Sequence, residues 1–146
     1  MTVFIDANVV IHATGTDAAL RSICAEICRH SVRASARPVT SAEVLQEILW
    51  VRQRTRGLES ARLALELATQ AFDVTPLFPE DILVAASYPE LPGLQARDRI
   101  HFAVMERLGI SRIVSTDRAF DSLRGITRLD PADFATWKQT VFPGAS

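Results

Sequence analysis

The chain opens on an apolar run that stops on a charge. Val3, Phe4 and Ile5 are β-branched or aromatic and read as a short buried strand, and the next residue is Asp6. An ionised side chain at the end of a buried strand must be paired, hydrogen-bonded or metal-bound. In open parallel sheets that end of the strand is also where ligands bind. The rest of the sequence is therefore read for partners that could answer Asp6.

With 146 residues, 48% hydrophobic and 23% charged, the chain is expected to form a single domain over 1–146 with a core of its own. Asp6, Asp73 and Asp81 interrupt the apolar stretches before any reaches the ~20 residues of a membrane span, and no positively charged segment precedes an apolar one at the N-terminus. No membrane association and a cytoplasmic location are expected. Cys24 and Cys28 lie four apart on one helical face with Leu20, Ile23 and Ile27, without further ligands at zinc spacing, so they are expected to pack as reduced thiols. The net charge of −1 excludes a global basic field, and Lys138 is the only lysine.

Strand and helix patterns alternate along the chain. After Asp6, a short helical segment covers Asn8 to Ala13, and Thr16 or Asp17 caps a helix from Ala18 to about His30. Thr40-Ser41-Ala42-Glu43 has the form of a capping box, in which Glu43 would serve Thr40, and a helix follows to about Gln53. Leu58 to Ala71 forms another helix with apolar side chains on more than one face, Phe72 to Pro76 a strand, and Pro79 starts a further helix. The loop Ser87 to Gly93 leads into a helix from Arg97 that ends at Gly109. Arg112 to Ser115 and Gly125 to Leu129 are strands around a helical turn at Thr116 to Phe120, and Pro131 begins a final helix. This alternation predicts an α/β fold, a three-layer α/β/α sandwich around a central, mostly parallel, Rossmann-like sheet.

Acids recur at strand ends and helix starts: Asp6, the Glu43/Glu47 helix, Asp98 and Asp117. Taken singly, Asp98 and Asp117 read as helix caps and Glu43 as the capping-box partner. Glu47 lies mid-helix among Val44, Leu45, Ile48 and Leu49, where no cap explains it; a solvated face and a functional role remain open. A parallel sheet would bring the strand ends at Asp6 and at Thr116-Asp117 to one edge, where converging carboxylates repel unless a cation lies between them. Oxygen donors without a histidine or cysteine cluster favour Mg²⁺ or Mn²⁺, ions that serve phosphodiester hydrolysis.

Four segments carry a family resemblance. Ile5-Asp-Ala-Asn8, Val39-Thr-Ser-Ala-Glu-Val-Leu-Gln-Glu-Ile48, Ala96-Arg-Asp-Arg-Ile-His-Phe-Ala103 and Ser115-Thr-Asp-Arg-Ala-Phe-Asp121, the last followed by Arg128-Leu-Asp-Pro131, resemble the PIN-domain nucleases. The order is right and the whole chain is covered. Among those nucleases the chain looks most like VapC toxins of bacterial toxin-antitoxin pairs. The resemblance implies a Mg²⁺- or Mn²⁺-dependent endoribonuclease held in check by a small VapB-like antitoxin. Carried over by position, Asp6, Asp98 and Asp117 match metal-binding acids, with Asp121 a supporting acid. The second acid matches Glu47, with Glu43 the alternative. Asn8 and Thr116 would orient the carboxylates. Arg52, Arg54, Arg56, Arg97, Arg99 and Arg118 are candidates for phosphate contact, Arg99 departs from the small residue usual after the Arg-Asp pair and is expected to point to solvent, and His101 reads as a half-buried packing residue.

Two further enzyme classes end a strand on Asp in a Rossmann-like sheet, the aspartyl-phosphate phosphohydrolases and the receiver domains. Both need a lysine late in the sheet, whereas Lys138 falls in the terminal helix. A housekeeping RNA-processing nuclease and a non-catalytic PIN-fold binding module are the other readings; intact acids at every matching position weigh against the second. The two-faced helix Leu58 to Ala71 suggests a homodimer or an antitoxin groove.

Overall fold

A computed structural model of the chain describes residues 2–145. Met1 and Ser146, the ends of the 1–146 domain expected from the sequence, lie outside those described residues. Five short strands, β1 (Phe4–Ile5), β2 (Val39–Ser41), β3 (Asp73–Thr75), β4 (Arg112–Val114) and β5 (Thr127–Leu129), form one sheet in the order β3-β2-β1-β4-β5. Among the described residues every pairing is parallel, without the antiparallel strand that a mostly parallel reading allows.

Seven α-helices flank it: α1 (Ala7–Ala13), α2 (Ala18–Arg33), α3 (Ala42–Arg56), α4 (Leu58–Ala71), α5 (Pro79–Ser87), α6 (Ala96–Leu108) and α7 (Phe134–Val141). The chain steps outward from β1 through β2 to β3, then returns to β4 on the other side of β1. Because such crossovers are right-handed, the reversal puts α5 and α6 on the face opposite α1 to α4. The strand order reverses between β1 and β4, and the crevice beyond their C-terminal ends is the favoured ligand position of such sheets. No described helix is long and apolar enough to cross a membrane.

One core holds the layers together. Phe4, Ile5, Val9, Val10, Ile27, Ile48, Ile113 and Phe120 are fully buried in it, and Cys24 and Cys28 pack there as free thiols. Burial pushes both thiols up to about 12, which leaves them inert at neutral pH. On α4, Ala61, Ala64, Ala68 and Ala71 form the inward stripe, small enough for α4 to lie close against α3.

The start of α3 differs from the sequence reading. Ser41 is the N-cap, its Oγ accepting from the Val44 N–H at 3.3 Å. Thr40 stays in β2 and its hydroxyl donates to the Ile5 carbonyl at 2.8 Å. No Thr40–Glu43 capping box forms, because the neighbouring strand has taken the Thr40 hydroxyl; Glu43 lies instead 3.5 Å from Arg97 Nε. The same helix runs past Gln53 to Arg56 and stops at Gly57, whose φ of 89° only glycine adopts without strain.

Three arginines from the phosphate-contact set turn out to fasten the fold. Buried Arg52 donates to Thr14 Oγ1 at 3.0 Å, to Thr55 Oγ1 at 3.2 Å and to the Ile11 carbonyl, and Arg56 donates to the Thr14 carbonyl at 3.0 Å. Together they tie α3 to the end of α1. Arg99, expected in solvent, donates to the carbonyls of Ala85, Tyr88 and Pro89 at 3.2, 2.8 and 2.9 Å and so closes the C-terminal end of α5.

Candidate active site

Asp6 follows β1 directly and caps α1. Its Oδ1 accepts from the Ala7 N–H at 2.7 Å, and its Oδ2 accepts from Ser115 Oγ at 2.7 Å and from Asn8 Nδ2 at 3.1 Å. Ser115 follows β4, level with Asp6 because Ile5 pairs with Val114. The Ser115 hydroxyl is fully used: it donates to Asp6 and accepts from Asn8 Nδ2 and from the Asp117 N–H, both at 3.0 Å. Asn8 Oδ1 accepts from the Thr116 N–H at 3.2 Å. Asn8 thus orients Asp6 as the sequence suggested, but the hydroxyl that does so belongs to Ser115, and Thr116 contributes its backbone. Burial holds the Asp6 carboxyl above the usual range, more than offsetting the pull of His101 and Ser115.

Glu47 approaches Asp6 from the middle of α3. It is half-buried, 3.7 Å from Arg97 Nη1, and its Oε2 is 3.6 Å from His101 Nε2. His101, on α6, is 1% exposed and its ring packs tilted against that of Phe4, with centroids 5.6 Å apart. Its Nε2 is 3.5 Å from Asp6 Oδ1, and neither ring nitrogen makes a hydrogen bond. His101 is therefore a wholly buried residue facing two acids, where the sequence suggested half-buried packing. Burial pulls its pKa down, but Glu47, Asp6 and Asp98 more than reverse that, and the net direction is up.

Asp98 sits in the first turn of α6, one turn before His101, and its Oδ2 accepts from the Gln95 N–H at 3.0 Å. Burial, followed by the charges of Asp117 and Asp6, pushes its carboxyl up to about 6. Asp117 caps a 3₁₀ turn over Arg118–Ser122, its Oδ1 accepting from the Ala119 N–H at 2.9 Å. Asp117 is an N-cap, as it read singly, whereas Asp98 is the third residue of α6, whose N-cap is Gln95; Asp98 feels the charges of both Asp117 and Asp6. Asp121 is held by Arg128 at 2.9 Å; Arg128 also reaches Asp130 at 2.9 Å and donates to the Ser115 carbonyl at 3.0 Å. The neighbouring Trp50 is exposed, with the guanidinium of Arg54 4.0 Å and that of Arg97 5.0 Å from its ring centroid.

Ligand atoms of Asp6, Glu47 and His101 all lie within 4.8 Å of one another. Carboxylates forced together in a buried crevice raise one another's pKa, and a cation relieves that cost. The orphaned nitrogens of His101 add a donor that no protein group satisfies. The residues present therefore fit a divalent ion. Glu43, paired with Arg97, lies outside this group of three.

A model of the PIN domain matches residues 3–126, a span that includes Asp6, Glu47, Asp98 and Asp117. The chain belongs to the PIN-domain family. Within that family it is 34% identical over 121 residues to Ribonuclease VapC23 of Mycobacterium tuberculosis, covering 82% of this chain and 96% of the relative. Ribonuclease VapC13 of the same organism is 31% identical over 129 residues, covering 87% and 98%. A solved structure of VapC20 from M. tuberculosis, described as a sarcin-ricin loop cleaving toxin, superposes with a TM-score of 0.66 at 18% identity over 82% of this chain and 93% of that one. VapBC2 of Rickettsia felis bound to a DNA fragment from its promoter gives 0.64 at 9% identity over 89% and 98%. At such identities the two structures speak to the fold, and the fold is that of VapC toxins. PIN nucleases work with divalent metal ions, and the Asp6, Glu47 and His101 cluster offers donors for one. In this PIN domain the sequence reading took His101 for packing and gave Ser115 no role at the site. The available signal was the spacing of His101 three residues after Asp98, which puts both on one face of α6.

Proposed function

We propose that this PIN domain, taken over 1–146, is a metal-dependent endoribonuclease and the toxin of a VapBC-type toxin-antitoxin pair. It would act in the cytoplasm and hydrolyse RNA phosphodiesters with Mg²⁺ or Mn²⁺ held by Asp6, Glu47, Asp98 and Asp117. The observation that carries this is the convergence of buried Asp6 with Glu47 and His101 at the β1/β4 crevice, in a chain whose relatives are named VapC ribonucleases. When bound, the ion supplies Lewis-acid polarisation of the phosphate and a more acidic water for in-line attack. Asn8 and Ser115 fix the rotamer of Asp6, with Thr116 held through its N–H. Asp98 and Asp117 bring further negative charge to the rim, and Asp121 supports it through Arg128. Arg97, beside Glu43 and Glu47, would be the arginine to meet a phosphate in this reading.

The partners of this reading are RNA as substrate, a small VapB-like antitoxin and a second copy of the chain. An antitoxin partner is supported by the likeness to a VapBC complex. Exposed apolar side chains support a chain–chain contact: Leu58 and Leu63 on α4, and a denser group of Phe78, Ile82, Leu83 and Val84 on and before α5. Mapping cleavage ends in cellular RNA after induced expression tests the function. New ends at defined sites, absent with Asp6→Asn, are expected; the same ends with a folded Asp6→Asn protein would refute it.

A further inference from the structure

His101 is the one buried polar side chain at this site, among the described residues, whose nitrogens have no hydrogen-bond partner. A wholly buried imidazole whose nitrogens make no hydrogen bond costs on the order of 1–3 kcal/mol, and an ion bound at Nε2 would offset part of that cost. Nε2 points between two carboxylate oxygens, 3.5 Å from Asp6 Oδ1 and 3.6 Å from Glu47 Oε2, each beyond ordinary hydrogen-bond distance. Donors on one ion at about 2.1 Å stand roughly 3–3.5 Å apart, so Nε2 is within a few tenths of an ångström of that spacing from each oxygen, and all three ligand atoms lie within 4.8 Å of one another. The ring is held in place by Phe4 on β1 and by the rigid middle of α6, and Asp6 is oriented by Asn8 and Ser115.

We propose that His101 Nε2 is a direct metal ligand, which adds one imidazole to the carboxylates of the centre and makes it prefer a first-row transition ion such as Mn²⁺ over Mg²⁺. The inference rests on the metal-dependent reading above and goes beyond it, since carboxylates alone serve Mg²⁺ and Mn²⁺ alike, whereas an imidazole nitrogen is a poorer ligand for Mg²⁺ than for first-row transition ions, of which Mn²⁺ is the weakest binder and so the strictest case. Coordination requires the neutral ring, so ion uptake releases to solvent whatever proton Nε2 carries.

Binding of Mn²⁺ alone and of Mg²⁺ alone, measured by calorimetry on the full chain, tests this in wild type, His101→Gln and Asp6→Asn. His101→Gln is expected to weaken Mn²⁺ by at least about tenfold and Mg²⁺ far less, so that the preference for Mn²⁺ collapses. Equal losses for both ions, or none, would overturn the proposal and leave His101 a residue that merely positions the acids. Pulsed EPR of Mn²⁺-loaded wild type carrying ¹⁵N-histidine needs no variant to fold: nitrogen coupling to the ion is expected, and its absence overturns the proposal. The Asp6→Asn arm separates the two levels. Loss of both ions there, without nitrogen coupling in wild type, sinks only the role of His101; retention of both ions sinks the metal site itself and the proposal with it.

Discussion

Ser115 and Asp98 stand in opposite relations to stability. The Ser115 hydroxyl has three partners in a buried setting, so Ser115→Ala strands a donor from Asn8 and another from Asp117 and removes a donor to Asp6. A loss of about 1.5–3 kcal/mol in urea unfolding is expected, against less than about 0.5 kcal/mol for Thr116→Ala, which leaves the backbone bond in place. Asp98 behaves the other way. Its folded pKa of about 6 lies above the ordinary 3.8, so the metal-free folded state binds the extra proton between those values. Stability from this group is intact below 3.8 and falls as pH rises towards 6. In the absence of metal, Asp98→Asn should therefore raise stability at pH 7 by about 1 kcal/mol, after discounting for partial solvent access, and leave it unchanged near pH 3.5. A destabilised Asp98→Asn at pH 7 would contradict the assignment of its strain to charge. Asp6, Asp98 and Asp117 were legible as residues because strand ends and helix starts are local patterns. His101 and Ser115 were not, because their importance depends on what lies across the sheet.

At the level of elements, the same limit explains α3. Thr40-Ser-Ala-Glu43 has every local feature of a capping box, but Thr40 is 35 residues from the Ile5 carbonyl that takes its hydroxyl. Helix and strand positions follow from hydrophobic period and turn residues; the ladder that decides a cap is non-local. Glu47 lies with Asp6 and His101 while Glu43 does not, and the capping box does not explain it: Arg97 contacts both glutamates, at 3.5 Å from Glu43 and 3.7 Å from Glu47. The α5–α6 pair is joined by a forked contact, with Arg107 Nε and Nη2 donating to the Asp81 oxygens at 2.8 and 3.0 Å. Arg107 holds the Asp81 carboxyl below its usual range, so the stabilisation is present above 3.8 and is lost as pH falls through the lower folded value. Arg107→Ala is expected to cost about 1–3 kcal/mol at pH 7 and progressively less in acid, as followed by thermal unfolding across pH. A cost that does not shrink below pH 3 would point to packing of Arg107 on Phe78 instead.

For the molecule as a whole, parallel strands alternating with helices were readable from the sequence, and with them the switch point between β1 and β4, beside which Asp6 meets Glu47 and His101. The outer surface was partly readable: α4, suspected of a second apolar face, turns its alanines inward and leaves Leu58 and Leu63 exposed, while the 70% exposure of Leu83 on α5 was not anticipated. A homodimer through α5 is expected, and Leu83→Glu should halve the mass seen by light scattering where Leu63→Glu does not; equal behaviour of the two variants would remove α5 from the contact. The central claim concerns the crevice. Purified protein is incubated with RNA after treatment with a chelator, then with Mn²⁺ or Mg²⁺ restored, beside a folded Asp6→Asn control. Cleavage that stops with the chelator, returns with the ion and is absent in Asp6→Asn is the expected result; cleavage that persists in the chelator, or in Asp6→Asn, would contradict a metal-dependent ribonuclease built on this site.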